Sequence, residues 1–222
     1  MKITDQILRW LFPPKCVLCG KVLNEEETDF CHACRIESPE CPVSNRRKLP
    51  FLDSWLAVWY YEDSVRDSIL RFKFRRARGY AGTYGRALAM KIQQEHPEGF
   101  DCLTWVPISP LRKFTRGYDQ VELLAQSVGR ELGVEPVALL QKVRHNRPQS
   151  GIVGDAQRRA NVLGAYRAVN TDVLQDKKVL ILDDIITTGA TLGECARVLL
   201  TAGAGEIHCG AVAIARRQKQ SR

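Results

Sequence analysis

Apolar positions along this chain follow two different periods, and the period switches from segment to segment. Val179, Leu180, Ile181 and Leu182 are consecutive, which reads as a strand buried on both faces. Leu192, Cys195, Ala196, Leu199 and Leu200 then recur at helical spacing. The same alternation occurs earlier. Residues 55–61 form an aromatic, β-prone run; Val65, Ile69 and Phe72 follow at helical spacing; residues 80–94 predict a second helix. Residues 103–106 read as a short buried strand, Val121, Leu124, Ala125, Val128 and Leu132 mark one helix face, and residues 207–215 predict a last strand. Strands alternating with helices predict an α/β chain with a parallel sheet flanked by helices. At the start, Ile3, Ile7, Leu8 and Leu11 share one face of a short helix ended by Pro13 and Pro14, which reads as packing on its own protein. The segment 142–166 has the weakest periodicity, and a basic, Gly-containing loop of that length suits a lid or binding loop.

Composition narrows the class. The chain has 222 residues, enough for one medium domain and an appendage. No apolar run approaches the roughly 18–20 residues of a membrane-spanning helix. Asp5 and Arg9 interrupt the apolar N-terminus, so it does not read as a signal peptide. The formal net charge of +8 points to anionic partners, either phosphorylated small molecules or nucleic acid. Arg71, Lys73, Arg75, Arg76 and Arg78 crowd one stretch, as a solvated face or as a contact for phosphate with Phe72 and Phe74 interleaved.

Of eight cysteines, Cys16, Cys19, Cys31, Cys34 and Cys41 lie close together and three are scattered, which favours reduced thiols, a metal site and the cytoplasm. Two Cys-x-x-Cys knuckles, Cys16/Cys19 and Cys31/Cys34, place four thiolates around a tetrahedral structural Zn2+. Gly20 suits the turn after the first knuckle, and metal binding would supply the folding free energy of so small a unit. Cys41 resembles half of a third knuckle whose last position is Ser44, which argues against a second complete site. The expected organisation is a helix and zinc ribbon over residues 1–44, a basic linker at Arg46, Arg47 and Lys48, and the α/β domain over 45–222.

The chemistry centres on the strand ending in Asp183 and Asp184. Two adjacent carboxylates close that strand and need partners for their charge. The following loop of Thr187, Thr188, Gly189, Ala190 and Thr191 opens a helix, and its hydroxyls and backbone N–H groups can converge on one phosphate, with Gly189 clearing the approach. No lysine stands in the loop, which excludes a nucleoside-triphosphate loop, and the Gly-x-Gly-x-x-Gly of a dinucleotide fold is absent. A phosphorylated ribose fits, its phosphate in the loop and its hydroxyls against Asp183 and Asp184. A second basic loop follows the strand at 103–106, with Pro107, Ser109, Arg112, Lys113 and Arg116.

Residues 179–191 resemble the phosphoribosyl-pyrophosphate (PRPP) signature of type I phosphoribosyltransferases. With the two Cys-x-x-Cys pairs, Phe72-Lys73-Phe74, Val106-Pro107-Ile108-Ser109, Arg116-Gly117-Tyr118-Asp119-Gln120, Pro148-Gln149-x-Gly151 and Arg158-x-x-Asn161, the chain resembles the ComF/GntX family over nearly its whole length. Many members carry a further Cys-x-x-Cys, and many read Phe-Asn where this chain has Tyr118-Asp119. The resemblance implies a type I phosphoribosyltransferase fold behind a zinc ribbon. It also implies PRPP binding with Mg2+ at Asp183 and Asp184, with the 5′-phosphate in 187–191. Pro107 and Ser109, with Arg112 or Lys73, would meet the pyrophosphate, and residues 142–161, including Arg147, Gln149, Gly151, Arg158 and Asn161, would close over the site. It further implies a role in natural competence, DNA uptake or DNA utilisation. Two functions follow: a Mg2+-dependent phosphoribosyltransferase of unidentified acceptor, or a non-catalytic protein that binds single-stranded DNA or the uptake machinery and senses PRPP. In the second, Phe72, Phe74 or Tyr118 would be stacking platforms.

Overall fold

Strands buried on both faces need a helical layer on each side, and this chain supplies two cores to match. The computed structural model describes residues 13–42, 48–144 and 155–216. A cysteine-rich unit with one short helix, α1 (His32–Glu37), comes first. Then follow β1 (Ser54–Tyr60), α2 (Asp63–Phe74), α3 (Tyr80–Glu95), β2 (Cys102–Trp105), α4 (Pro110–Arg116) and α5 (Gln120–Leu132). The chain continues through β3 (Leu140–Lys142), α6 (Asp155–Val162), β4 (Tyr166–Ala168), β5 (Lys178–Ile186), α7 (Ala190–Thr201) and β6 (Glu206–Ile214).

The main sheet is parallel, in the order β1-β6-β5-β2, and β3 pairs antiparallel with β4 beside it. Alternate residues of β5 feed opposite cores. Leu180 and Leu182 pack with Ile69, Phe72, Tyr84, Leu88 and Leu124 of α2, α3 and α5. Val179 and Ile181 pack with Leu192, Cys195 and Leu199 of α7 and with Leu140 and Tyr166. Helices α3 and α5 approach closely because Gly85 lacks a side chain, since a Cβ there would lie 2.2 Å from Ser127 Oγ. The cysteine unit joins the first core through Val17, Leu18 and Leu23. Phe30 lies edge-on to Trp59, and Arg86 pairs with Asp29 at 2.6 Å.

β2 and β5 are neighbours, yet α5 after β2 and α7 after β5 cover opposite faces. A crevice opens between their carboxyl ends, the place where open α/β sheets bind ligands. The expected strands and long helices are present. Three features differ. β5 does not stop at the aspartates but runs through both to Ile186, because Asp183 and Ile185 pair with the small residues Ala211 and Ala213 of β6. Residues 110–116 form a helix, signalled by the Ser109 cap, Pro110 at its first turn and Gly117 after it. The segment expected to be an aperiodic loop contains α6, and its ends pair as β3 and β4. The expected N-terminal helix, Arg46, Arg47, Arg147, Gln149 and Gly151 lie outside the described residues.

Candidate functional site

Because side chains alternate along β5, the two adjacent aspartates meet different neighbours. Asp184 turns toward α2 and α5. Lys73 Nζ, near the end of α2, lies 2.8 Å from its Oδ1, and Gln120 Nε2, at the start of α5, donates to its Oδ2 at 2.8 Å. Arg116 donates to Gln120 Oε1 at 2.8 Å, so the amide is held between a cation and an anion. Both the carboxylate and the ammonium are largely buried, and the pair satisfies charges that the core would not otherwise tolerate. Asp183 accepts the backbone N–H of Asp184 at 2.8 Å. Burial, and then the Asp184 carboxylate beside it, push the Asp183 carboxyl up to about 8.

On the other side of the aspartates stands Lys142, at the end of β3. Its ammonium donates to the Tyr166 hydroxyl at 3.0 Å and lies 4.9 Å from the centre of that ring. Burial, then the nearby Arg112 guanidinium, bring Lys142 down to about 8. These groups share a cavity of about 630 Å³ lined by six basic side chains, Lys73, Arg76, Arg112, Arg116, Lys142 and Arg158, around Asp183 and Asp184. Pro107, Thr187 and Thr191 line it too. An excess of cations over carboxylates in a half-enclosed cleft suits a polyanion that also presents hydroxyl groups.

The remaining expected residues support these walls. Ser109 is buried and caps α4, accepting the Arg112 N–H at 3.4 Å. Thr188 Oγ1 accepts the Ala190 N–H at 3.3 Å. Gly189 has φ +82°, and the space its Cβ would take is filled by Leu49, 2.6 Å away. The expectation that Gly189 clears a path for a ligand therefore gives way to a packing reason: the left-handed turn and Leu49 both require glycine. Asn161 lends its carbonyl to Arg144 at 3.3 Å, below α6, while Arg158 of the same helix reaches the cavity. Asp119 caps α5 through the Val121 and Glu122 N–H groups at 2.9 and 3.2 Å, and its other oxygen accepts the Ile108 N–H at 3.1 Å. It thus ties the loop after β2 to the helix that carries Gln120. Phe72 and Tyr118 are buried and cannot stack on a base, whereas Phe74 is exposed beneath Arg116.

The basic stretch 71–78 divides its work. Arg71 serves the cysteine unit, Lys73 and Arg76 the cavity, and Arg78 donates to the Gly117 carbonyl at 2.7 Å over the Tyr118 ring. Sequence reasoning had Lys142 and Tyr166 only as the ends of an expected binding loop, and no local pattern marks the role of either side chain. It had Gln120 within a recognised stretch without a role.

Cys16, Cys19, Cys31 and Cys34 bring their sulfur atoms within 4.8 Å of one another, and Cys19 and Cys31 are 3.7 Å apart. Tetrahedral Zn2+ with Zn–S of about 2.3 Å requires sulfurs about 3.8 Å apart, so the set fits a structural zinc. Burial and the neighbouring sulfurs raise the Cys34 thiol, as expected where four sulfurs share one corner and need a cation to ionise together. His32 is exposed and stands apart from the cluster. Cys41 is buried, its N–H bonded to Val58 O at 2.9 Å and its carbonyl to Lys91 at 2.8 Å. Among the described residues no second cysteine cluster forms.

Residues 121–222 match the phosphoribosyl transferase domain family, and residues 7–46 match the double zinc ribbon domain family. Competence protein F of Haemophilus influenzae is 26% identical over 218 residues, covering 87% of this chain and 93% of that protein. Competence protein ComFC of Streptococcus pneumoniae is 26% identical over 225 residues, covering 87% and 96%. DNA utilization protein YhgH of Escherichia coli is 25% identical over 200 residues, covering 86% of each. The parallel sheet with its carboxyl-end crevice, the four-cysteine ribbon and these relatives agree: the chain has a type I phosphoribosyltransferase fold joined to an N-terminal zinc ribbon, and over most of its length it is similar to these competence and DNA-utilization proteins.

Proposed function

We propose that this chain binds PRPP with Mg2+ in the crevice above β2 and β5 and transfers its phosphoribosyl group to an acceptor, in the service of DNA uptake or utilisation. The observation that carries this reading is the convergence of Asp183 and Asp184 with Thr187, Thr191 and six basic side chains on one cavity. In such a transfer the bond from ribose C1 to the pyrophosphate oxygen breaks, the acceptor's nucleophilic atom bonds to C1, and pyrophosphate leaves. The protein's part is to position the reactants and stabilise charge. The start of α7 and the threonines would hold the 5′-phosphate, and the aspartates would meet the ribose hydroxyls. Lys73, Arg112 and the loop at Pro107 would face the pyrophosphate, with Lys142 and Arg158 as further cations.

Mg2+ keeps few protein ligands and is usually held by one or two carboxylates and the substrate's own oxygens. Asp183 and Asp184 offer such a set, and no larger oxygen cage occurs among the described residues. The ion would neutralise charge on the leaving group. Calorimetric titration of zinc-loaded protein with PRPP and Mg2+ tests the reading. Micromolar binding that disappears in Asp183→Asn/Asp184→Asn supports it; no heat at millimolar PRPP overturns it.

One observation favours a second reading. Phe74 and Phe114 are 65% and 86% exposed, with Arg75, Arg76 and Lys113 beside them in sequence. Exposed rings among cations suit single-stranded DNA, in which case binding would weaken steeply with salt and on replacing Phe74 and Phe114 by alanine.

A further inference from the structure

Helix α2 touches both charged centres of the molecule within three residues. Arg71 Nη2 donates to the carbonyls of Val17, at 3.1 Å, and Leu18, the two residues between the zinc-site cysteines Cys16 and Cys19. One turn earlier on the same face, Ser68 Oγ donates to Val17 O and shares a hydrogen bond with Tyr84. Two residues after Arg71, Lys73 meets Asp184 at 2.8 Å. Between them, Tyr118 donates to the carbonyl of Phe72. That carbonyl lies in the last turn, where a helix has no partner of its own to offer.

We infer that the first zinc knuckle is a positioning element of the phosphoribosyl crevice, acting through Arg71 to set the last turn of α2 and so the placement of Lys73 on Asp184. This rests on the reading of the crevice as a PRPP site. The knuckle presents two carbonyls side by side only while Cys16 and Cys19 are held together, and a planar guanidinium can grip both at once. Without that grip the last turn of α2 keeps its apolar contacts through Phe72 and its hydrogen bonds at Ser68 and Tyr118, but loses the charged anchor nearest to Lys73. Lys73 lies on the turn so released. Coupling of this kind is reciprocal: if zinc favours the ligand, the ligand must favour zinc by the same factor.

The test measures zinc transfer from the full-length protein to a chromophoric chelator, with and without PRPP and Mg2+, beside calorimetry of PRPP binding. Bound PRPP is expected to strengthen zinc retention by roughly fivefold or more. Arg71→Met should still hold one zinc but abolish that effect, and Arg71→Lys should restore only part of it. Asp29→Asn is the control. It loosens a separate tie of the ribbon, to Arg86 at 2.6 Å and Thr83 at 2.7 Å, without touching α2, and should leave the coupling in place. PRPP binding with unchanged zinc retention in the wild type overturns the coupling alone, and equal loss in Asp29→Asn and Arg71→Met overturns the assignment to Arg71. Absence of PRPP binding overturns the site reading and this inference with it. The wild-type comparison needs no variant, so a poorly folding Arg71→Met does not rescue the idea.

Discussion

The cysteine cluster closes on itself, whereas the crevice stays open and draws its walls from distant parts of the chain. Four sulfurs from residues 16–34 face one another within 4.8 Å, two of them buried, and four such ligands complete the coordination of a tetrahedral ion. The crevice takes side chains from α2, α4, α5, α6, the β3–β4 pair and the ends of β2 and β5 around about 630 Å³ of space. The first centre uses charge to build structure: the thiolates need the metal, and the small ribbon needs both. The second holds charge in reserve, with carboxylates and cations set at a distance that a ligand can bridge. What separates them is contact order. Ligands close in sequence can organise around an ion, while groups far apart must be placed by a sheet that is already folded.

The largest effect should come from breaking the closed centre. Cys31→Ser removes a buried zinc ligand; it should abolish bound zinc and cost about 3 kcal/mol or more, a fall of roughly 6–12 °C in Tm for a chain of this size. Zinc analysis and a thermal melt check this, and a full zinc complement with an unchanged melt would contradict the closed-site description. A smaller effect should follow at the rim of the open centre. Gly189→Ala forces a Cβ onto Leu49 at φ +82° and should cost about 1–3 kcal/mol. Combined with Leu49→Ala it should cost less than the sum of the two, because the clash is shared. Denaturant titration of the four proteins reads this directly, and strict additivity would show that Leu49 is not what constrains the loop.

The smallest effect concerns the reserve of charge, because Asp183 is half-buried and lines an open crevice where solvent screens much of its shift. Asp183 has a folded pKa raised above its unfolded value, to about 8, by burial and by Asp184. The folded state therefore binds more protons, and ligand-free stability falls as pH rises from about 4 through about 8. Asp183→Asn should remove that slope, melting a few degrees above the wild type at pH 8 and converging with it toward pH 4. Parallel melts across that range without Mg2+ are the measurement; equal slopes would mean that the crevice solvates Asp183 fully.

Much of the closed centre was legible in sequence, because two Cys-x-x-Cys pairs carry their geometry locally. For the open centre, the strand through Leu180 and Leu182, the threonine-glycine turn and the helix after it were legible for the same reason. Residues 110–116 were missed as a helix although Ser109, Pro110 and Gly117 mark its ends. Its length of seven residues offers too little apolar period to notice. α6 was hidden by a polar sequence, and Phe72 and Tyr118 looked like platforms because exposure is not written in residue type.

By itself the sequence determined the zinc ligands, the strand that carries Asp183 and Asp184, and the turn that starts α7, since each depends on neighbours a few residues away. Only the tertiary structure decided which charges face those aspartates. Lys73 and Gln120 reach Asp184 because α2 and α5 cover one face of β5, and Lys142 and Tyr166 stand on the opposite side because β3 and β4 pair there. The alternation of side chains along a strand sends two adjacent carboxylates to opposite faces. What each one meets is set by the order of strands in the sheet, and local sequence does not encode that order.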